Sequence, residues 1–212
     1  MGEMVIGSVK IEWYGQSSVG IFGSKSIYID PYVLPSAPKK ADIILVTHEH
    51  FDHCNPEKIK QLQTSDTTVI VNPSCSSKIK GNIRTLKPGE RTSVGEVEIK
   101  GTPSYNTNKQ FHPRGSVTGF LITVDGKKVY HPGDTDFVPE MKELAHERID
   151  VAFFPVGGTY TMNADEAAEA AKAIKPKIAV PMHYGNIVGS SKDGERFRKL
   201  LEGSGIEVRV LL

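Results

Sequence analysis

Ile43-Ile44-Leu45-Val46-Thr47-His48-Glu49-His50-Phe51-Asp52-His53-Cys54 decides how this chain is read. Residues 43–46 form a short, wholly apolar run, the pattern of a strand covered on both faces. Directly behind it stand three imidazoles and a carboxylate within six positions: His48, His50, Asp52 and His53. In extended chain, side chains two apart point the same way, so His48 and His50 share one side. Asp52 and His53 follow as the chain bends away. This dense set of borderline and hard ligands suits a divalent cation. Burying it without one costs desolvation and lost hydrogen bonds. The alternative, a flexible surface tract rich in histidine, would not sit against an apolar strand.

Working outward, residues 9–13, 18–22 and 26–29 are β-rich and separated by turns at Gly15 and Gly23. Asn55 and Pro56 open a predicted helix over 56–63. A strand is expected at 69–71 and a short helix at 73–79. Strands follow at 83–86, 97–101, 117–124 and 127–130, the last two joined by the hairpin signal Asp125-Gly126. The final third alternates: strand 151–154, Ala-rich helix 165–174, strand 178–181, helix 194–201 and strand 206–211. No long linker, low-complexity tract or short-period repeat interrupts it. The expected architecture is α/β (α+β), one domain over residues 1–212: two sheets packed face to face with helices outside, a four-layer αββα sandwich. Periodicity alone does not separate this from other α/β layouts.

The chain has 212 residues, 26 basic against 25 acidic, for a formal net charge of +1. That balance leaves no electrostatic footprint for nucleic acid or an anionic membrane. Lys39-Lys40 and the basic residues within 196–199 read as solvated faces. Two cysteines are too few for a stapled scaffold. Cys54 adjoins the cluster and supports it or is simply a small buried residue; Cys75 needs no chemical role. The N-terminus lacks a basic stretch followed by an apolar run, and no apolar segment approaches the roughly 20 residues that span a bilayer. The expected location is cytoplasmic, without membrane insertion. A homo-oligomer is neither indicated nor excluded.

His-x-His-x-Asp-His after a strand resembles the metal motif of the metallo-β-lactamase superfamily. The resemblance implies that His48 and His50 hold one metal and Asp52 and His53 another. Ile29-Asp30-Pro31 resembles the strand-end aspartate that orients the histidine loop. His131-Pro132-Gly133-Asp134-Thr135 resembles the Gly-Asp segment, which implies that Asp134 bridges both ions. Pro181-Met182-His183-Tyr184 resembles the last ligand segment and assigns His183 to the second metal. Within the superfamily, Trp13-Tyr14-Gly15-Gln16-Ser17-Ser18 and the stretch 155–162 are most similar to a compact branch of metal-dependent hydrolases. That branch is related to ascorbate-6-phosphate lactonases and, more distantly, to N-acyl phosphatidylethanolamine phospholipases D.

Two departures stand out. Asn106, in Thr102-Pro103-Ser104-Tyr105-Asn106, occupies a position where the family carries histidine, and an amide carbonyl is a poor zinc ligand. His112, six residues on, is expected as the third ligand of the first metal. Its alternatives are an acid/base or substrate-binding group, or a bland loop histidine. Gln16 stands where many relatives have histidine. It either faces the site, where it hydrogen-bonds but cannot shuttle protons, or is an exposed turn residue. His131 is a candidate catalytic or flanking group, and His146 reads as solvated. Arg114 either holds an anionic substrate or makes a surface salt bridge. Tyr105, Tyr160 and Tyr184 are candidate donors to substrate, though packing explains most such residues.

The expected function is a binuclear metal-dependent hydrolase of a small-molecule substrate. Two divalent ions, zinc first and manganese second, would share Asp134 about 3.5–4 Å apart and hold a bridging water. Its pKa falls from about 15.7 toward about 7. The resulting hydroxide attacks an ester-like, lactone or phosphodiester bond. Asp52 and Asp134 are the site carboxylates, and His112, His131 or water protonates the leaving group. The rivals are a nuclease of the same fold, opposed by the near-neutral charge, and a non-catalytic metal- or ligand-binding member. A flavodiiron-type oxidoreductase is opposed by His50, where that branch has a carboxylate.

Overall fold

The computed structural model describes residues 2–211. One seven-stranded sheet carries β1 (Gly2–Ile6), β2 (Val9–Gly15), β3 (Ser18–Phe22), β4 (Ser26–Ile29), β5 (Ile43–Val46), β6 (Thr68–Val71) and β7 (Asn82–Thr85), side by side in chain order. A second seven-stranded sheet carries β8 (Arg91–Val94), β9 (Val97–Ser104), β10 (Val117–Val124), β11 (Lys127–His131), β12 (Val151–Pro155), β13 (Ile178–Met182) and β14 (Glu207–Val208), again in order. Each sheet begins with three antiparallel pairings and ends with three parallel ones. The two halves therefore repeat one topology.

Alternation along β5 builds two layers at once. Ile43 and Leu45 enter the core between the sheets, where Ile11, Ile29, Phe120 and Ile122 also lie. Ile44 and Val46 face the other way, against Ile59 and Leu62 of α1 (Pro56–Leu62). On the far side, α2 (Ala164–Ile174) and α3 (Ser191–Leu200) pack over β12 and β13. The order helix, sheet, sheet, helix is the αββα sandwich. Alanines 167, 168, 170 and 171 are buried, so small side chains let α2 approach closely. Asn163 and Glu166 close its N-terminus with a reciprocal capping box.

Several local expectations change. The strand expected at 206–211 is only Glu207–Val208, and the helix at 73–79 is a 3-10 turn, Pro73–Cys75. The charged segment around His146 is a 3-10 helix, Pro139–Glu147, ended by Arg148 at φ 54°. Helix α3 starts at Ser191, three residues before the expected 194, because the Asp193 carboxylate accepts the Ser190 backbone N–H at 2.6 Å. Strands β1 and β8 escaped the sequence reading because they are edge strands with few buried residues.

Strand direction places the site. β2, β4 and β5 run the same way in the first sheet, as do β9, β11 and β13 in the second. Their carboxyl ends gather along one edge of the sandwich. There the sheets are tied across the layer: Thr118 N–H donates to Thr47 O and His183 N–H to Gln16 O, both at 2.9 Å.

Candidate metal centre

Asp30 leaves β4 in the left-handed region at φ 46°, and its buried carboxylate organises one side of the site. It accepts the Thr47 backbone N–H at 2.8 Å and the Thr47 hydroxyl at 2.7 Å, and lies 2.7 Å from His53 Nδ1. Having given its proton to Asp30, the Thr47 hydroxyl accepts Nδ1–H of His48 at 3.0 Å. One carboxylate therefore sets the tautomers of two imidazoles. The Nε2 lone pairs of His48 and His53 are left pointing into the cluster.

Three ring nitrogens meet on one side. His50 Nδ1 lies 3.1 Å from His48 Nε2 and 3.2 Å from His112 Nε2. His112 is aimed by Asn106, whose Oδ1 accepts its backbone N–H at 3.0 Å and its ring Nδ1–H at 3.1 Å. The Asn106 amide donates in turn to Asp136 Oδ1 at 3.1 Å and to Tyr160 O at 3.0 Å. Asn106 thus lies behind the imidazole. Asp136 and Thr47 are the residues that the sequence reading missed. The available signals were the second acid in Gly133-Asp134-Thr135-Asp136 and the hydroxyl preceding His48.

On the other side, His53 Nε2 lies 3.5 Å from Asp52 Oδ2, and His183 Nε2 lies 3.7 Å from the same oxygen. Gln16 is buried, and its amide donates to Asp52 Oδ2 at 2.9 Å. Asp134 stands between the two sides. Its Oδ1 is 3.2 Å from His53 Nε2, and its Oδ2 is 3.2 Å from His183 Nε2 and 3.4 Å from His112 Nε2.

Burial and neighbouring charge oppose each other here. Burial would raise the carboxyl pKa of Asp134, but His183 and His53 outweigh it and hold that carboxyl well below its ordinary range. Asp52 is likewise held low against its burial by the neighbouring His183 and His53 imidazoles. Burial alone would lower His183, yet Asp134 and Asp52 bring it up to about 9. Burial pushes His48 and His112 down, keeping them neutral and able to act as ligands.

The donor set fits divalent cations. Ligands about 2.0–2.1 Å from a tetrahedral zinc lie about 3.3 Å from one another. His50 Nδ1 lies at nearly that distance from both His48 Nε2 and His112 Nε2. Ligand atoms of His48, His50 and His112, of His48, His53 and Asp134, and of Asp52, His53 and His183 each gather within 4.8 Å. His53 Nε2, Asp134 Oδ1 and both ring nitrogens of His183 are buried without an aligned hydrogen bond. Buried polar atoms rarely lack one, and a cation would satisfy them together.

Other candidates stand elsewhere. His131 is not available for catalysis, because backbone claims both ring nitrogens: Nε2–H donates to Ser17 O at 2.9 Å, and Nδ1 accepts Gly133 N–H at 3.2 Å. Arg114 is an exposed partner of Glu140, stacked 4.7 Å over the Tyr105 ring, and reaches no ligand of the cluster. Tyr184 stacks on Trp13 at 5.4 Å with its hydroxyl toward Gly194 of α3, so it packs behind the site instead of facing substrate. Cys54 and Cys75 are buried in the layer under α1.

Residues 10–183 match the family described as a β-lactamase superfamily domain. The chain belongs to the metallo-β-lactamase superfamily. It is 34% identical over 204 residues to a UPF0173 metal-dependent hydrolase of Thermoplasma acidophilum, covering 91% of each chain. A counterpart in Archaeoglobus fulgidus is 31% identical, covering 96% of this chain and 95% of the relative. Among solved structures, Igni18, a metallo hydrolase of Ignicoccus hospitalis, superposes with a TM-score of 0.79 at 26% identity, covering 96% of this chain and 94% of that one. A Parabacteroides distasonis protein, named by inference as a metal-dependent hydrolase, gives 0.87 at 40% identity over 96% of this chain and 92% of its own.

Proposed function

We propose that this chain is a binuclear metal-dependent hydrolase that cleaves an ester-like, lactone or phosphodiester bond in a small molecule. The observation that carries the reading is the position of Asp134, which lies 3.4 Å from His112 on one side and 3.2 Å from His53 and His183 on the other. His48, His50 and His112 would hold one ion and Asp52, His53 and His183 the second, with Asp134 shared. Five imidazoles favour zinc, with manganese the alternative where carboxylates bridge. Ions held there would supply a lowered water pKa and a Lewis acid for the electrophilic oxygen.

The chain's own residues supply order. Asp134 sits centrally as an acceptor that orients the nucleophile, and Gln16 holds Asp52 in one rotamer. His131 is sealed by backbone, and His112 Nδ1 is engaged by Asn106, so the leaving group draws its proton from solvent in the cleft. A net charge of +1 favours a small molecule over nucleic acid. Among the described residues, no helix is long and apolar enough to cross a membrane.

Metal content measured beside hydrolysis of generic esters and phosphodiesters tests the reading. Two tightly held ions per chain, with turnover abolished in Asp134→Ala, are expected. One loosely held ion without turnover on either substrate class would overturn it.

A further inference from the structure

Four large apolar side chains are exposed among the described residues: Val5, Phe51 at 64%, Phe111 at 48% and Ile187 at 39%. Three of these four line a single cavity of about 220 Å³, shared with His50, His112 and Asp134. They arrive from three separate segments, following β5, β9 and β13. Phe51 meets Tyr32 edge-on at 5.8 Å, and Phe111 meets Tyr160 edge-on at 4.8 Å. Exposed apolar surface gathered at one place marks a binding site more often than chance scatter does.

The cavity's charge is equally selective. None of its nine lining residues is lysine or arginine. Cations on neighbouring loops are tied elsewhere: Lys109 to Asp136 at 2.6 Å, Lys78 to Glu49 at 2.8 Å, and Arg114 to Glu140. A phosphate group entering here would meet no guanidinium or ammonium partner, only the metal centre itself.

We infer that Phe51, Phe111 and Ile187 form an apolar collar that takes an aryl or short alkyl group flanking the scissile bond of an uncharged carbonyl substrate. This narrows the hydrolase reading above and rests on it for the chemistry, although binding by the collar does not. A 150 Å³ apolar cavity accommodates benzene. Since metal-centre residues line part of the space here, it suits at most one ring with a small substituent or an alkyl chain of about six carbons.

The test uses metal-loaded full-length protein and two independent readouts. Calorimetric titration with acetate, butyrate and hexanoate keeps one carboxylate head constant while the apolar group grows. Affinity is expected to rise about fourfold per methylene, and the slope to collapse in Phe111→Ala/Ile187→Ala. Affinity that is flat along the series, or tighter for inorganic phosphate than for hexanoate, would overturn the collar. Acid release from methyl acetate, butyrate, hexanoate and decanoate then reports turnover, with kcat/KM expected to climb to hexanoate and stop. Length-dependent binding without cleavage of any ester leaves the collar standing and overturns carboxylic-ester hydrolysis as the reaction at this site. Cleavage indifferent to the alkyl group does the reverse.

Discussion

The Thr47 hydroxyl sits 2.7 Å from Asp30 Oδ2, and this bond decides which nitrogen of His48 faces the cluster. A hydroxyl has one proton. Because Asp30 takes it, the oxygen turns a lone pair to His48 Nδ1–H, and the Nε2 lone pair is left facing the cluster.

Thr47→Val keeps the shape and removes the relay. Zinc affinity is expected to fall about 10- to 100-fold, the usual effect of losing a group that orients a metal-bound histidine. Thr47→Ser, which retains the hydroxyl, is expected to stay near wild type. Competition titration against a chromophoric chelator measures both.

Asn106→Ala should act on one half of the site. It strips His112 of its ring acceptor and Asp136 of a buried donor, costing about 1–3 kcal/mol of stability. Metal analysis after dialysis is expected to show one ion retained at Asp52, His53 and His183, and the other lost.

Gly133→Ala tests how tightly the two sheets meet. Gly133 has φ 67°, and an added Cβ would lie 2.7 Å from Thr47 Cβ. Left-handed strain and overpacking together should cost at least ~2 kcal/mol, lowering Tm by about 4–8 °C for a chain of this size. Thermal denaturation followed by circular dichroism reads the shift.

Far from the site, Glu147 accepts hydrogen bonds from Lys100 and Lys128, both at 2.9 Å. These bonds outweigh the opposing effect of burial and bring its carboxyl from 4.5 down to about 2. Since the folded value lies below the unfolded one, the contribution is present above about pH 4.5 and disappears as pH falls through about 2. Both lysines reach water, which limits it to ~1 kcal/mol. Glu147→Gln should lower Tm by about 2–4 °C at pH 7, and the difference should vanish near pH 2.

The layered fold was largely legible in the sequence. The apolar run at 43–46, the Asp125-Gly126 hairpin and the Ala-rich helix beginning after Asn163 each carry their signal in neighbouring residues. Edge strands β1 and β8 were not legible, because half-exposed strands lack the burial that produces a pattern.

Within the site, local sequence determined that imidazoles and a carboxylate follow a buried strand, because His48, His50, Asp52 and His53 are adjacent in the chain. It did not determine what His112, His131 and Asn106 do. Each is simply a polar residue at a strand end or on a loop until the sheets close. Tertiary structure then turned His112 toward His50, backed it with Asn106, and capped both nitrogens of His131 with backbone. The reason is directional: a residue's identity specifies which atoms can donate or accept, but only its partners, His50 and Ser17 among them brought from distant segments, specify where those atoms point.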